Sequence, residues 1–328
     1  MEKKYLNKEI TYDANYDPML SPRFSEIATF MRAPYSQDLA GIDIAFAGVP
    51  WDGGVTVRPG ARFGPREIRN QSSYLRMVHH ILRISPFDLC AIADAGDVRF
   101  GSYLDNAMAQ NDIETFFARF AAAGVVPLSA GGDHSVTYPI LRAIAHEDRP
   151  VGLVHIDAHT DTWGEVMGAP FNHAAPIRSA VDAGLVDPKR TVQIGIRAPQ
   201  NAFDAWDYSH EKGMRVIYME EFEDLGVPGV ISEVHRVVGE GPTYLTFDID
   251  GLDAIYCPGT GTPEVGGITS REALRLLRGL NGLDLVGADL VEVAPPYDVS
   301  NVTSFLAAHL LFDMLCLLAA SAAKRSGD

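Results

Sequence analysis

The sequence predicts an α/β protein of three layers, α-β-α, built on a parallel sheet of about eight strands. Three observations predict it. Short runs rich in Val, Ile and Leu recur along the chain, most of them are continuously apolar, and stretches with apolar residues at helical spacing lie between them. Strands buried on both faces and alternating with helices fold as a parallel sheet covered on either side.

In chain order the strand runs are "IDIAFAGVP" from Ile42, "LCAIAD" from Leu89, "GVVPLS" from Gly124, "VGLVHID" from Val151, "TVQIGI" from Thr191, "RVIYM" from Arg215, "TYLTFDID" from Thr243 and "LVGADLVEV" from Leu285. Helical spacing is clearest in "NDIETFFARFAAA" and in "SREALRLLRGL", where Ser270, Arg271 and Glu272 read as an N-terminal cap region. The apolar segment from Phe305 to Ala323 has nearly the length of a membrane span. It contains His309 and Asp313 and lacks basic and aromatic anchors on both flanks, so a buried helix closing the domain is expected. No internal repeat, low-complexity tract or linker interrupts the pattern. Residues 41–328 are therefore expected to form one domain, and residues 1–40 an irregular extension packing on that core or on a neighbouring subunit.

Composition narrows the function. With 47% hydrophobic and 21% charged residues among 328, the chain has the make-up of a soluble globular protein. A formal charge of -16 opposes nucleic acid and anionic membrane as partners, since both attract basic surfaces. The three cysteines, Cys90, Cys257 and Cys316, have no CxxC spacing and leave one over from any pairing, which favours a reducing cytoplasm over a disulfide framework. Cys257 has no evident local base and reads as a small buried residue. The N-terminal "MEKKYLNKEI" lacks the apolar core of a signal peptide.

In a parallel α/β sheet, ligands bind beyond the carboxyl ends of the strands. There "VGLVHIDAHTDTW" places Asp157, His159 and Asp161. If the backbone stayed extended, its two-residue period would send all three to one side, with Ala158 and Thr160 pointing away. "YLTFDIDGLD" ends another apolar run with Asp248 and Asp250, and "PLSAGGDHS" ends a third with a Gly-Gly turn, Asp133 and His134. Unpaired buried carboxylates are costly, so a convergence of acids and imidazoles calls for a cation. A single strand-end Asp is usually a turn former, but three such motifs in series are poorly explained that way. Six donors of imidazole and carboxylate type exceed one tetrahedral zinc and suit about two divalent ions with bridging carboxylates. The absence of thiolate favours manganese, with nickel, cobalt or iron as alternatives.

"GGDHS", "DAHTD" and "DIDGLD", in this order and separation, resemble the ureohydrolase family, which contains arginase, agmatinase and guanidino-acid amidinohydrolases. "RPGARFGPREIR", "ADAGDV", "CPGTGTPEVGG" and "DLVEVAPPYD" extend the resemblance over nearly the whole chain, toward the agmatinase and guanidinobutyrase branch. It implies an arginase-like fold and hydrolysis of a guanidino group to urea and an amine. It also implies one ion on His134, Asp157, Asp161 and Asp248 and another on Asp157, His159, Asp248 and Asp250. Glu292 matches the family's guanidinium-binding glutamate, and otherwise reads as a buried acid paired to a core arginine. His173, in "APFNHAAPIR", matches the histidine that relays a proton at the leaving group, and otherwise reads as a loop residue. Asp133 reads as a turn acceptor. The resemblance further implies a homotrimer or homohexamer, with a hetero-oligomer containing a homologous subunit as a variant.

The chain departs from the family at His173-Ala174-Ala175, where relatives commonly carry His-Gly-Thr. A methyl at 174 opposes a positive φ, and a hydroxyl is lost at 175. An N-alkylated guanidine or a biguanide is therefore a second substrate class beside agmatine and guanidino acids. A one-zinc deacetylase of related fold and a noncatalytic subunit of a ureohydrolase assembly are the readings from other classes. Trp51 and Trp163 read as ordinary packing, with the pocket mouth as the other reading.

Overall fold

The computed structural model describes residues 21–326. The first half of the N-terminal extension lies outside that range. Eight parallel strands form the sheet: β1 (Ile44–Gly48), β2 (Ile92–Asp97), β3 (Val126–Ala130), β4 (Val151–Ile156), β5 (Val186–Ile196), β6 (Arg215–Tyr218), β7 (Pro242–Asp248) and β8 (Asp284–Val291), in the spatial order β2-β1-β3-β8-β7-β4-β5-β6. Every predicted run overlaps one of them, and β5 begins earlier than the apolar run, at Val186.

Alternation along the strands divides the core. Ile44 and Phe46 of β1, Leu128 of β3 and Leu245 and Phe247 of β7 belong to one apolar cluster, whereas Ala45, Ala47 and Tyr244 belong to another. Neighbouring residues of a strand face opposite sides, so each cluster is the contact of the sheet with one helical layer. The helix Val302–Ser326 supplies the first cluster with Leu310, Leu311, Met314, Leu315 and Leu318. It is long and apolar enough by composition to cross a membrane, and 72% of its most apolar stretch is buried within the protein. Asp313 on this helix accepts from His79 Nε2 at 2.6 Å and from Arg278 Nε at 3.0 Å, which satisfies its charge inside the layer. In the described part of the extension, Phe30, Met31 and Ala33 enter the same cluster, and the Phe30 amide donates to Asp94.

The cap of the helix Ser270–Gly279 is Thr269, one residue before the expected cap region. Thr269 is extended, its hydroxyl accepts from the Glu272 amide, and the Glu272 carboxylate accepts from the Thr269 amide, a reciprocal capping box. Ser270 is already helical, because the glutamate must fall three residues after the cap to reach back.

Candidate metal and guanidine site

Four adjacent central strands, β3, β8, β7 and β4, bring the motifs together at their carboxyl ends. Their register aligns these ends: Ala130 pairs Leu290, Asp248 pairs Val291, and Ile156 pairs Phe247. After β3 the Gly-Gly turn passes close under the backbone of Trp51, where a Cβ at Gly132 would overlap the Trp51 carbonyl. Only glycine fits this approach, and it sets His134 at the sheet's edge.

The acids after β4 do not reach the site by strand alternation. The strand ends at Ile156, and the Asp157 carboxylate accepts from the His159 amide at 2.6 Å, which bends the chain. Asp161 then adopts a φ of 51°. The expected extended run gives way because the side chain competes for the backbone amide two residues on. Asp133 and Asp248 use the same device, accepting from the amides of Ser135 and Asp250 at 2.9 Å each. Asp133 also accepts from the Gly54 amide, so it holds loops together.

The donors converge on two imidazole nitrogens. Around His134 Nδ1 lie Asp161 Oδ2 at 2.9 Å, Asp157 Oδ2 at 3.2 Å and Asp248 Oδ2 at 3.3 Å. Around His159 Nδ1 lie Asp250 Oδ2 at 3.2 Å and Asp157 Oδ1 at 3.3 Å. Asp157 thus presents one oxygen to each centre. Burial opposes charge on Asp248 and Asp250, and the neighbouring carboxylates add repulsion, so both titrate above the ordinary range. Burial also opposes charge on His134 and His159. The surrounding carboxylates together outweigh it, with Asp161 foremost at His134 and Asp250 foremost at His159, so both imidazoles titrate upward. His134 Nδ1 is fully buried, and the groups set against it are the carboxylates of Asp157, Asp161 and Asp248. Nitrogen and oxygen donors that converge with no Lys or Arg paired to these carboxylates among the described residues form the donor set of a divalent-cation centre.

His155 joins this cluster from β4, two residues before Asp157, and carries no sequence signal of its own. Its Nε2 lies 2.8 Å from Asp157 Oδ2, while Nδ1 faces the Gln193 amide nitrogen at 3.1 Å. An amide donor on Nδ1 places the ring proton on Nε2, so His155 donates to Asp157 and is not itself a ligand.

Glu292 and His173 meet beside the acids. Glu292, at a φ of 66°, takes the His134 amide on Oε1 at 2.9 Å, and the same oxygen lies 3.0 Å from His173 Nδ1. Its other oxygen is buried without a hydrogen-bond partner. No arginine pairs with Glu292 among the described residues. His173 Nε2 contacts the Thr56 hydroxyl at 2.8 Å, a loop contact that carries no sequence signal. Burial pulls the imidazole down, but the hydrogen bond and charge of Glu292, with Asp133 and Asp161, raise it to about 9.

A cavity of about 650 Å³ opens over these groups, lined by His159, Asp161, His173 and Asp248 within and by Val57, Trp163, Glu165 and Met167 farther out. Trp163 is therefore a cavity wall rather than ordinary packing, whereas Trp51 is buried against Phe100 and Tyr103. Ala174 lines the cavity without a positive φ, so its methyl is accommodated. Ala175 does not line the cavity. It is buried at the start of the helix Pro176–Asp182, so a hydroxyl there would not border the reaction space.

Residues 42–316 match the Arginase family. The chain belongs to the arginase family. Within this family it falls with the agmatinase and guanidino-acid branch. It is 53% identical to the guanidinopropionase of Pseudomonas aeruginosa over 92% of this chain and 95% of that protein. It is 46% identical to the guanidinobutyrase of the same organism over 90% of this chain and 94% of that one. Among arginase-family structures, the proclavaminate amidino hydrolase of Streptomyces clavuligerus superposes with a TM-score of 0.88 at 40% identity, covering 92% of this chain and 100% of the other.

Proposed function

We propose that the protein is a binuclear-metal hydrolase that cleaves a guanidino compound to urea and an amine, of the agmatinase or guanidino-acid amidinohydrolase type. The observation carrying this reading is the division of the acids around His134 and His159, with Asp157 shared, directly beside the Glu292–His173 pair. His134, Asp157, Asp161 and Asp248 would hold one ion, and Asp157, His159, Asp248 and Asp250 the other. Manganese suits this hard, thiolate-free set, with nickel or cobalt as alternatives. When bound, such a pair lowers the pKa of water and supplies a nucleophile at neutral pH.

The chain's own residues do the remainder. The free Glu292 oxygen accepts from the planar guanidinium, a charge-assisted contact that orients the carbon under attack. His173, cationic at neutral pH and anchored on Glu292 and Thr56, holds a proton to give to the departing amine. Trp163, Val57 and Ala174 line the wall around the substituent, which favours an N-alkylated guanidine as a second reading of the substrate. We assign the enzyme to the cytoplasm, supported by three buried cysteines without CxxC spacing, and to a homotrimer or homohexamer, supported by exposed apolar side chains such as Tyr74, Val78 and Phe305.

The test is urea release by manganese-loaded protein from agmatine, guanidinobutyrate, guanidinopropionate, arginine and N-alkylated guanidines. At least one should yield urea and amine in equal amounts. Asp157→Asn, which removes charge from the shared carboxylate, should abolish turnover and lower bound metal. Urea from none of these compounds with two metals bound overturns the reading.

A further inference from the structure

Behind His134 the sheet carries a buried polar chain that the proposed reaction does not use. His134 Nε2 lies 2.9 Å from the Thr246 hydroxyl on β7, and that hydroxyl donates to Asp289 Oδ1 on β8 at 2.5 Å. Thr246 and Asp289 are register partners across the two strands. The other Asp289 oxygen accepts from the hydroxyls of Thr137 and Tyr244 at 2.8 Å each. Tyr244, two residues before Thr246, shares its face of β7. Asp289 is fully buried and, among the described residues, no Lys or Arg pairs with it.

Hydroxyl-only partners leave a buried carboxylate with its charge uncompensated, an arrangement that packing alone does not favour. A threonine hydroxyl has one proton. Having given it to Asp289, Thr246 can only accept from His134, which places the imidazole proton on Nε2 and turns the Nδ1 lone pair toward Asp157, Asp161 and Asp248. We propose that Asp289, acting through Thr246, is a positioning residue that fixes the metal-binding tautomer of His134 and so sets the affinity of the ion position His134 lines. This inference rests on the metal-dependent reading above, and its measurement is metal binding rather than turnover.

Manganese(II) titration and metal content after dialysis should be compared for the full chain and for Thr246→Val, Thr246→Ser, Tyr244→Phe and Asp289→Asn. Thr246→Val and Asp289→Asn should weaken one of the ion positions by about 10- to 100-fold and spare the other. Thr246→Ser should restore wild-type affinity. Tyr244→Phe removes a hydroxyl from the same carboxylate without touching His134 and should leave both affinities unchanged. If Asp289→Asn does not fold, the Thr246 pair decides. Wild-type affinity in Thr246→Val overturns the proposal, as does equal weakening in Tyr244→Phe, which would make Asp289 a packing element. Wild-type protein that binds no manganese overturns the metal-dependent reading as well.

Discussion

Glu292 and Asp161 hold φ angles of 66° and 51°, a region that L residues seldom occupy, and both face the metal-type cluster. Backbone in that region costs about 1 to 3 kcal/mol and persists only where the surroundings dictate it. At Glu292 the surroundings are the Gly132 carbonyl, which accepts its amide, and the His134 amide, which holds one carboxylate oxygen. The second oxygen is left for a ligand. Glu292→Gln keeps the shape and removes the charge, so both metals should stay bound while kcat/KM for the best guanidine falls about 10- to 150-fold, the equivalent of losing roughly 1.5 to 3 kcal/mol from a charge-assisted contact. Metal analysis beside steady-state kinetics checks this. A variant that loses its fold or its metals instead would return Glu292 to a structural role.

At the scale of elements, the central strands place the chemistry and the outer helices keep them in place. The helix Ser270–Gly279 packs Ala273, Leu276 and Leu277 into the core, and its Arg278 reaches Asp313 on the C-terminal helix. Its start depends on the Thr269 and Glu272 capping box. Thr269→Ala leaves the Glu272 amide without its acceptor and should cost about 1 kcal/mol, read as a lower denaturant midpoint at unchanged slope, with metal content intact. Ser270→Ala should cost much less, because Ser270 is inside the helix. Equal costs for both would contradict the cap assignment.

For the whole molecule, the concentration of buried acids at one sheet edge ties stability to metal and pH. Burial first, and then Glu292, raise Asp133 to about 7, and Asp248 and Asp250 are raised for the same kinds of reason. A carboxyl with a raised folded pKa favours the folded state while protonated, and that contribution is lost as pH climbs from the unfolded value near 4 through the folded one. Asp157, held low by His155 and its other imidazole neighbours against burial, acts in the opposite sense at lower pH. Metal-free protein should therefore lose stability between about pH 4 and 7. Bound cations offset the buried charge, so the gap in Tm between manganese-loaded and chelated protein should widen as pH rises. At saturating metal it should correspond to about 3 to 4 kcal/mol. Thermal scans at pH 5, 6 and 7 with manganese or with chelator measure it, and a gap that narrows with pH contradicts the cluster's electrostatics.

The sequence by itself determined the β-α alternation, the sheet type and the candidate donors, because these are written in local periodicity and in polar residues that end apolar runs. Asp157, His159, Asp248 and Asp250 could be read that way since each lies within a few residues of its strand. Tertiary structure alone decided which strands became neighbours. β3 and β4 are consecutive in the chain yet separated in the sheet by β8 and β7, and only that order brings His134, Asp157, Asp248 and Glu292 to one place. It also decided where short-range cues failed. Asp157 bends its own backbone where alternation predicts an extended run, Ala175 turns into the helical layer away from the cavity, and Trp163 faces the cavity rather than the core. His155 and Asp289 were hidden for the same reason: a polar residue inside an apolar strand acquires its role from the partner strand beside it, and that partner is distant in sequence.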